Sequence, residues 1–229
     1  MKTFEKVNVP QLNFELDSRT GESGRVYVTP DGKSYPSITT VLSGYNKEGL
    51  LKWRKRVGEE EANRVSRVAS ARGSKLHSVC ESYLLNEMTD KIRMTMMPDT
   101  KGMFIKMQQV MDAHIGRVYA IEQPLYSHRL KIAGRVDCIA EWDGILSIID
   151  WKTASRSKEE NYIRNYFMQC TGYAEMYEDV TNSPIEQIVV VIAVADDEPQ
   201  VFVKSKHDYL EDLQKEIDNY HNKTLNGVQ

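Results

Sequence analysis

The sequence predicts an α/β fold, and three observations carry that prediction. The hydrophobic period changes from helical to alternating near residue 117. An Asp143-Gly144 pair joins two apolar runs, and an all-apolar run follows the next helical stretch. In order, the elements are helices, three strands, a helix, two strands and a closing helix. At 229 residues the chain suits one domain with a sizeable core.

From the N-terminus, residues 1–36 are punctuated by TGESG and TPDGKSYPS, which predicts a short hairpin or arm. Residues 37–229 read as the main domain, with a helical region over 37–116. PSITTVL begins a helix that Ser37 or Thr39 is placed to cap. Residues 50–85 keep a helical pattern broken near Gly58, with Leu76, Val79, Cys80 and Tyr83 as its apolar stripe. A further helix is predicted over 100–115. RVYAIEQPLYS, KIAGRVDCIAEW and ILSIIDWKTA then read as strands, and the Asp-Gly between the last two is a strong hairpin signal. A helix over 158–179, a strand IVVVIAVA buried on both faces, a short strand VFVKS and a helix from HDYLEDLQ onward finish the chain.

Composition narrows the function classes. With 41% hydrophobic and 28% charged residues and only 13 Gly and 7 Pro, the chain has the make-up of a folded globular protein rather than a disordered one. Cys80, Cys138 and Cys170 form no Cys-x-x-Cys pair, so reduced thiols are expected rather than a zinc or redox site. No run approaches the roughly 20 apolar residues of a membrane helix. The start MKTFEKVNVPQLNFELD has neither a signal-peptide pattern nor an Arg-rich transit pattern. The expectation is a cytoplasmic protein with no membrane partner and no support for a mitochondrial address. A net charge of -3 argues against a whole-surface nucleic-acid binder, yet residues 47–75 hold nine Lys or Arg against four Glu. Such a local basic patch suits phosphate binding.

The hairpin carries the chemistry. With Asp143-Gly144 as a two-residue loop, Trp142 faces Ile145, Ile139 faces Ile148, and Asp137 falls opposite Asp150. Directly opposed like charges are destabilising. Strand alternation adds Lys152 to the face of Asp150. Two carboxylates so placed want a shared proton or a divalent cation, and a shared proton leaves Lys152 without a purpose. Oxygen ligands favour Mg2+ or Mn2+. An ammonium beside that ion suits in-line attack of water on a phosphodiester. A lone Asp-x-Lys is more often a solvated strand end; the second Asp in register, after Gly134, is what adds weight. In RGSKLHSVCE, Gly73, His77 and Glu81 share one helical face, although a lone histidine is more often packing than a ligand. In QCTGY, Gln169 and Tyr173 lie one turn apart, and the same helix also reads as amphipathic with buried tyrosines.

Taken in order, Gly73-x-x-x-His77, Gly134-x-x-Asp137, Asp150-x-Lys152 and Gln169-x-x-x-Tyr173 resemble the RecB-like branch of the PD-(D/E)XK nuclease superfamily. SITTVL, LLKWRKR, RGSKLH, VDCIAEWDG and IIDWKTA are similar to segments of its mitochondrial genome maintenance exonuclease family, with phage and bacterial members. The resemblance implies a mixed central sheet flanked by helices, with a helical region that forms an arch. By position it implies metal ligation by Asp137 and Asp150, catalysis by Lys152, a metal-proximal His77, and Gln169 and Tyr173 supporting the site or the DNA. It also implies an additional acidic ligand at Glu122. The absence of a four-cysteine set excludes the iron-sulfur members. The implied activity is Mg2+- or Mn2+-dependent cleavage of single-stranded DNA from an end, in replication, recombination or repair. A monomer is expected, with replication or recombination proteins as further partners.

Under that resemblance Lys52, Arg54, Lys55, Arg56 and Arg72 are placed to neutralise phosphates and Trp53 to stack a base. The same segment also reads as an amphipathic helix whose Trp53 anchors the core. Three alternatives stay open: a structure-specific endonuclease of the same superfamily, a non-catalytic DNA-binding protein with this fold, and the same metal chemistry on RNA.

Overall fold

The computed structural model describes residues 2–45 and 47–225. Where a hairpin or arm is expected, three antiparallel strands form: β1 (Asp17–Gly21), β2 (Gly24–Val28) and β3 (Ser34–Pro36). The segment before them is tied down as well. Phe4 packs edge-on against Tyr83 with ring centroids 5.4 Å apart, and the Asn86 side chain bonds both its amide and its carbonyl.

Ser37 caps α1 (Ile38–Val41), its Oγ accepting from the Thr40 amide at 3.0 Å. This helix is a single turn that gives way to a 3-10 turn over Leu42–Gly44. Helices α2 (Lys47–Val57) and α3 (Glu59–Leu84) meet at Gly58, whose φ of +87° is a left-handed value that favours glycine. A short α4 (Asp90–Thr95), unanticipated from sequence, is capped by Thr89. Then α5 (Pro98–His114) leads into the sheet.

The sheet begins with β4 (Ile115–Ser127), β5 (Ile132–Trp142) and β6 (Ile145–Ala154), all antiparallel. Asp143 and Gly144 have φ of +52° and +82°, as a type I′ hairpin turn requires. Next, α6 (Arg164–Thr181) carries the chain over the sheet to β7 (Gln187–Val194), which pairs parallel with β6. The antiparallel edge strand β8 (Gln200–Ser205) follows, and α7 (Leu210–Leu225) closes the described chain. The strand order is β4-β5-β6-β7-β8, a mixed five-stranded sheet.

Alternation along the strands builds a core on each face. Ile139, Ile148, Ile188 and Val190 pack under α6 and α7 with Phe167, Met168, Tyr177 and Leu213. Cys138, Ile149, Trp151, Val189 and Val191 pack under α3 and α5 with Leu76, Tyr83, Phe104 and Met107. β7 is thus buried on both faces, as its unbroken apolar run predicts. One boundary is corrected: α6 starts at Arg164, not near Lys158. The Lys158 amide donates to Gln200 Oε1 at 2.7 Å while Gln200 Nε2 donates to the Lys158 carbonyl at 2.9 Å. That pair of bonds ties Lys158 to the β8 edge and keeps it out of the helix.

Candidate active site

Asp137 stands on β5 between two other acidic strand positions. Its register places Glu122 opposite it on β4, since Ile121 pairs Cys138 and Gln123 pairs Val136. Glu122 has a φ of +49°, a left-handed value uncommon for any residue with a Cβ. On the other side, the hairpin register holds from Trp142–Ile145 to Cys138–Ile149, which brings Asp150 to the next position. There the ladder opens. In the regular pattern the Trp151 amide would donate to the Val136 carbonyl; it donates instead to Asp137 Oδ2 at 2.9 Å. From α3, His77 Nδ1 comes within 3.5 Å of the same Asp137 oxygen. The donor atoms of His77, Glu122 and Asp137 all lie within 4.8 Å of one another. Burial first, then Asp137 and Glu81, push the Glu122 carboxyl up to about 7.

Asp150 and Lys152 form a second group on the same side of β6. Asp150 is fully buried, and the Lys152 ammonium pairs with its Oδ2 as an ion contact. Gln169 Nε2 is 3.3 Å from Asp150 Oδ1 and 3.3 Å from the Tyr173 hydroxyl, so the Gln-x-x-x-Tyr pair reaches the Asp-x-Lys strand from α6. The Lys152 ammonium also sits 5.2 Å from the centroid of the Tyr166 ring. Burial raises the Asp150 carboxyl above its ordinary range, Lys152 working against that. Burial disfavours the Lys152 ammonium, but Asp150 and Asp137 outweigh it and hold the lysine charged. Gly134 is needed for this packing, because a Cβ there would lie 2.7 Å from Tyr173 Cε1 and 3.2 Å from Ile38 Cγ2.

A family model of the PD-(D/E)XK nuclease superfamily matches residues 45–229. The chain belongs to this superfamily. It is similar to mitochondrial genome maintenance exonuclease 1 of Homo sapiens, 27% identical over 177 residues that cover 72% of this chain and 50% of the human protein. With the Xenopus tropicalis protein of the same name the identity is 26% over 209 residues, covering 85% of this chain and 58% of that protein. The chain therefore spans about half the length of its human relative. A solved Eubacterium rectale structure covers 69% of each chain at 12% identity, with a TM-score of 0.49. β1, β2, β3 and α1 lie before the matched residues.

Nucleases of this superfamily generally use divalent metal ions, and the donor set here fits one. Two carboxylates and an imidazole converge, and the raised Glu122 carboxyl marks a place where a cation would relieve repulsion. Among the described residues Asp150 is not part of that close group, being ion-paired with Lys152. Of the residues singled out by sequence, His77, Glu122, Asp137, Lys152, Gln169 and Tyr173 line one cleft of about 530 Å³. Lys52, Trp53, Arg54, Lys55, Arg56 and Arg72 do not line it. Lys52 pairs with Glu48 at 2.6 Å and Arg54 with Glu59 and Asn63, while Trp53 is half-buried. The sequence reading missed Arg25, Ser74 and Arg135 as site residues and placed Glu81 on the His77 face without giving it a role; all four line the cleft. Ser74 and Glu81 share the helical face of His77, a spacing visible in the sequence; Arg25 arrives only through tertiary packing. Cys80, Cys138 and Cys170 are free and buried, and among the described residues no helix is long and apolar enough to cross a membrane.

Proposed function

We propose that this protein is a divalent-cation-dependent deoxyribonuclease that hydrolyses phosphodiester bonds from the ends of single-stranded DNA, in replication, recombination or repair. One observation carries the reading: Lys152, ion-paired to the fully buried Asp150 behind it, lines the same cleft as the His77–Glu122–Asp137 group. When bound, Mg2+ or Mn2+ supplies Lewis acidity toward the phosphodiester. Asp137, Glu122 and His77 hold the ion, with Asp150 as the further carboxylate on the neighbouring strand. Lys152 orients the attacking water and answers the negative charge that builds on the phosphate. Gln169 fixes Asp150, and Tyr173, packed over Gly134, offers its hydroxyl to Gln169.

The basic helices support a nucleic-acid partner. Residues 47–75 carry nine Lys or Arg against four Glu, and Lys55 and Arg56 are exposed. α2 buries none of its residues, and Leu50 and Leu51 are about half exposed. Such a helix, turned at Gly58, suits an arch over a threaded strand, with Lys55 and Arg56 toward phosphates and Trp53 toward a base. Lys52 and Arg54 would exchange their carboxylate partners for phosphates.

Digestion of strands labelled at either end, linear beside circular, with Mg2+, Mn2+ and a chelator, tests the reading. Release of short products from linear strands alone, abolished by chelator, is the expected result. Equal cutting of closed circles would make the protein an endonuclease, cleavage of matched RNA alone would change the substrate class, and binding without cleavage in Mn2+ would remove the catalytic claim.

A further inference from the structure

We infer that Arg25, on the N-terminal sheet, is a substrate-anchoring residue that grips a backbone phosphate of the strand in the cleft. The inference rests on the nuclease reading above and adds a residue that lies outside the part of the chain matched by the superfamily model.

Three cations line the cleft, Arg25, Arg135 and Lys152, together with the carboxylates of Glu81, Glu122 and Asp137. A polyanion entering there meets like charge, so cations not already neutralised by the protein decide whether it stays. Lys152 is committed to Asp150. Arg135 donates to the Glu122 carbonyl and lies 3.9 Å from a Glu15 oxygen. Among the described residues the Arg25 guanidinium has no ion pair, and its one hydrogen bond is a long contact of 3.5 Å to the Thr20 hydroxyl. It is therefore the cleft cation left available.

Its backbone, by contrast, is pinned. The Arg25 amide donates to Thr40 Oγ1 at 3.0 Å, and its carbonyl accepts from the Ser37 amide at 2.8 Å. One residue before, Gly24 has a φ of +104°, and a Cβ there would lie 2.4 Å from Thr40 Cγ2, so β2 is pressed against α1. A fixed Cα leaves only the side chain to be ordered on binding, and the planar fork of the free guanidinium suits a bidentate phosphate contact. The hydroxyl-bearing Ser37 and Thr39 line the cleft beside it. The small sheet thus acts as a wall of the cleft and not only as a cover for the core.

The test compares Arg25→Gln and Arg25→Lys with the parent, and with Arg19→Gln on the exposed strand β1 as control. Binding of a labelled single-stranded oligonucleotide is followed by anisotropy in Ca2+ at several salt concentrations, beside KM and kcat in Mg2+. Arg25→Gln should weaken binding about tenfold. It should make the slope of log K against log salt shallower by about 0.7, the value for one phosphate contact on a single strand. KM should rise more than kcat falls, Arg25→Lys should lie between, and the thermal midpoint should stay put. Affinity and salt slope of Arg25→Gln matching those of Arg19→Gln would overturn the assignment while leaving the nuclease reading intact. A parent that neither binds nor cuts single strands would remove both.

Discussion

The Trp151 amide donates to the Asp137 carboxylate at 2.9 Å, just beyond Cys138–Ile149, the last regular pair of the β5–β6 hairpin. Asp137 is therefore a structural acceptor as well as a candidate ligand. Simple relief of repulsion would have an alanine there stabilise the protein, but the geometry says otherwise. Asp137→Ala leaves the amide of a nearly fully buried tryptophan without a partner, which costs about 1–3 kcal/mol. Asp137→Asn keeps an acceptor oxygen and should avoid that loss. Denaturant unfolding in chelator should rank the asparagine variant above the alanine variant. Both should lose metal binding by calorimetry, and an alanine variant as stable as the asparagine one contradicts the dual role.

Removing Lys152 tests the buried pair. Lys152→Ala strands the Asp150 carboxylate in a fully buried position, for which about 3–5 kcal/mol of destabilisation is typical. Asp150 then gains by binding a proton that the unfolded chain does not hold, so the deficit should shrink as pH falls from 8 to 5. The double variant Asp150→Asn/Lys152→Met should recover stability without recovering cleavage. A Lys152→Ala variant with parent stability at pH 8, or with turnover in Mg2+, would sink the role given to this pair.

Glu122 predicts a pH dependence of opposite sense to the usual acid denaturation. Its carboxyl is raised from 4.5 to about 7 in the folded protein. Between those values the folded state holds more protons than the unfolded one, so this group's contribution to stability falls as pH rises and is lost above about 7. In chelator, the melting temperature of the parent should decline between pH 5 and 8, and Glu122→Gln should flatten that decline. Mg2+ should restore more stability to the parent at pH 8 than at pH 5. A parent curve that rises through this window with no difference in the variant would count against the Glu122 environment described here.

The parts of this site legible in the sequence are those set by local chemistry. Asp143-Gly144 demands a type I′ turn, the turn fixes register, and register brings Asp150 and Lys152 beside Asp137. His77, Gln169 and Tyr173 were reachable because helical spacing puts each on one face. What the sequence hid depends on long-range packing. The opening of the ladder at Trp151 follows from a side chain outcompeting a carbonyl, the late start of α6 from the Lys158–Gln200 tether, and Arg25 from β2 folding back onto α1. The left-handed Glu122 has no local signature either, since neither Gly nor Asn marks the position.

Gly134 offers a test of how the two halves of the site are held together. A methyl group there would meet the Tyr173 ring at 2.7 Å and Ile38 at 3.2 Å, and neither belongs to a flexible chain end, since both residues are buried. Gly134→Ala should therefore cost about 1–3 kcal/mol as an overpacked core does. It should also push Tyr173 away from Gln169 and loosen the Gln169–Asp150 contact, so cleavage should fall by more than the loss of folded protein explains. Adding Tyr173→Leu removes the clashing ring and should return stability while leaving Gln169 without its hydroxyl neighbour. Recovery of stability without full recovery of activity is the expected pattern. A single Gly134→Ala variant that melts and cuts like the parent would show that the ring has room the packing denies it.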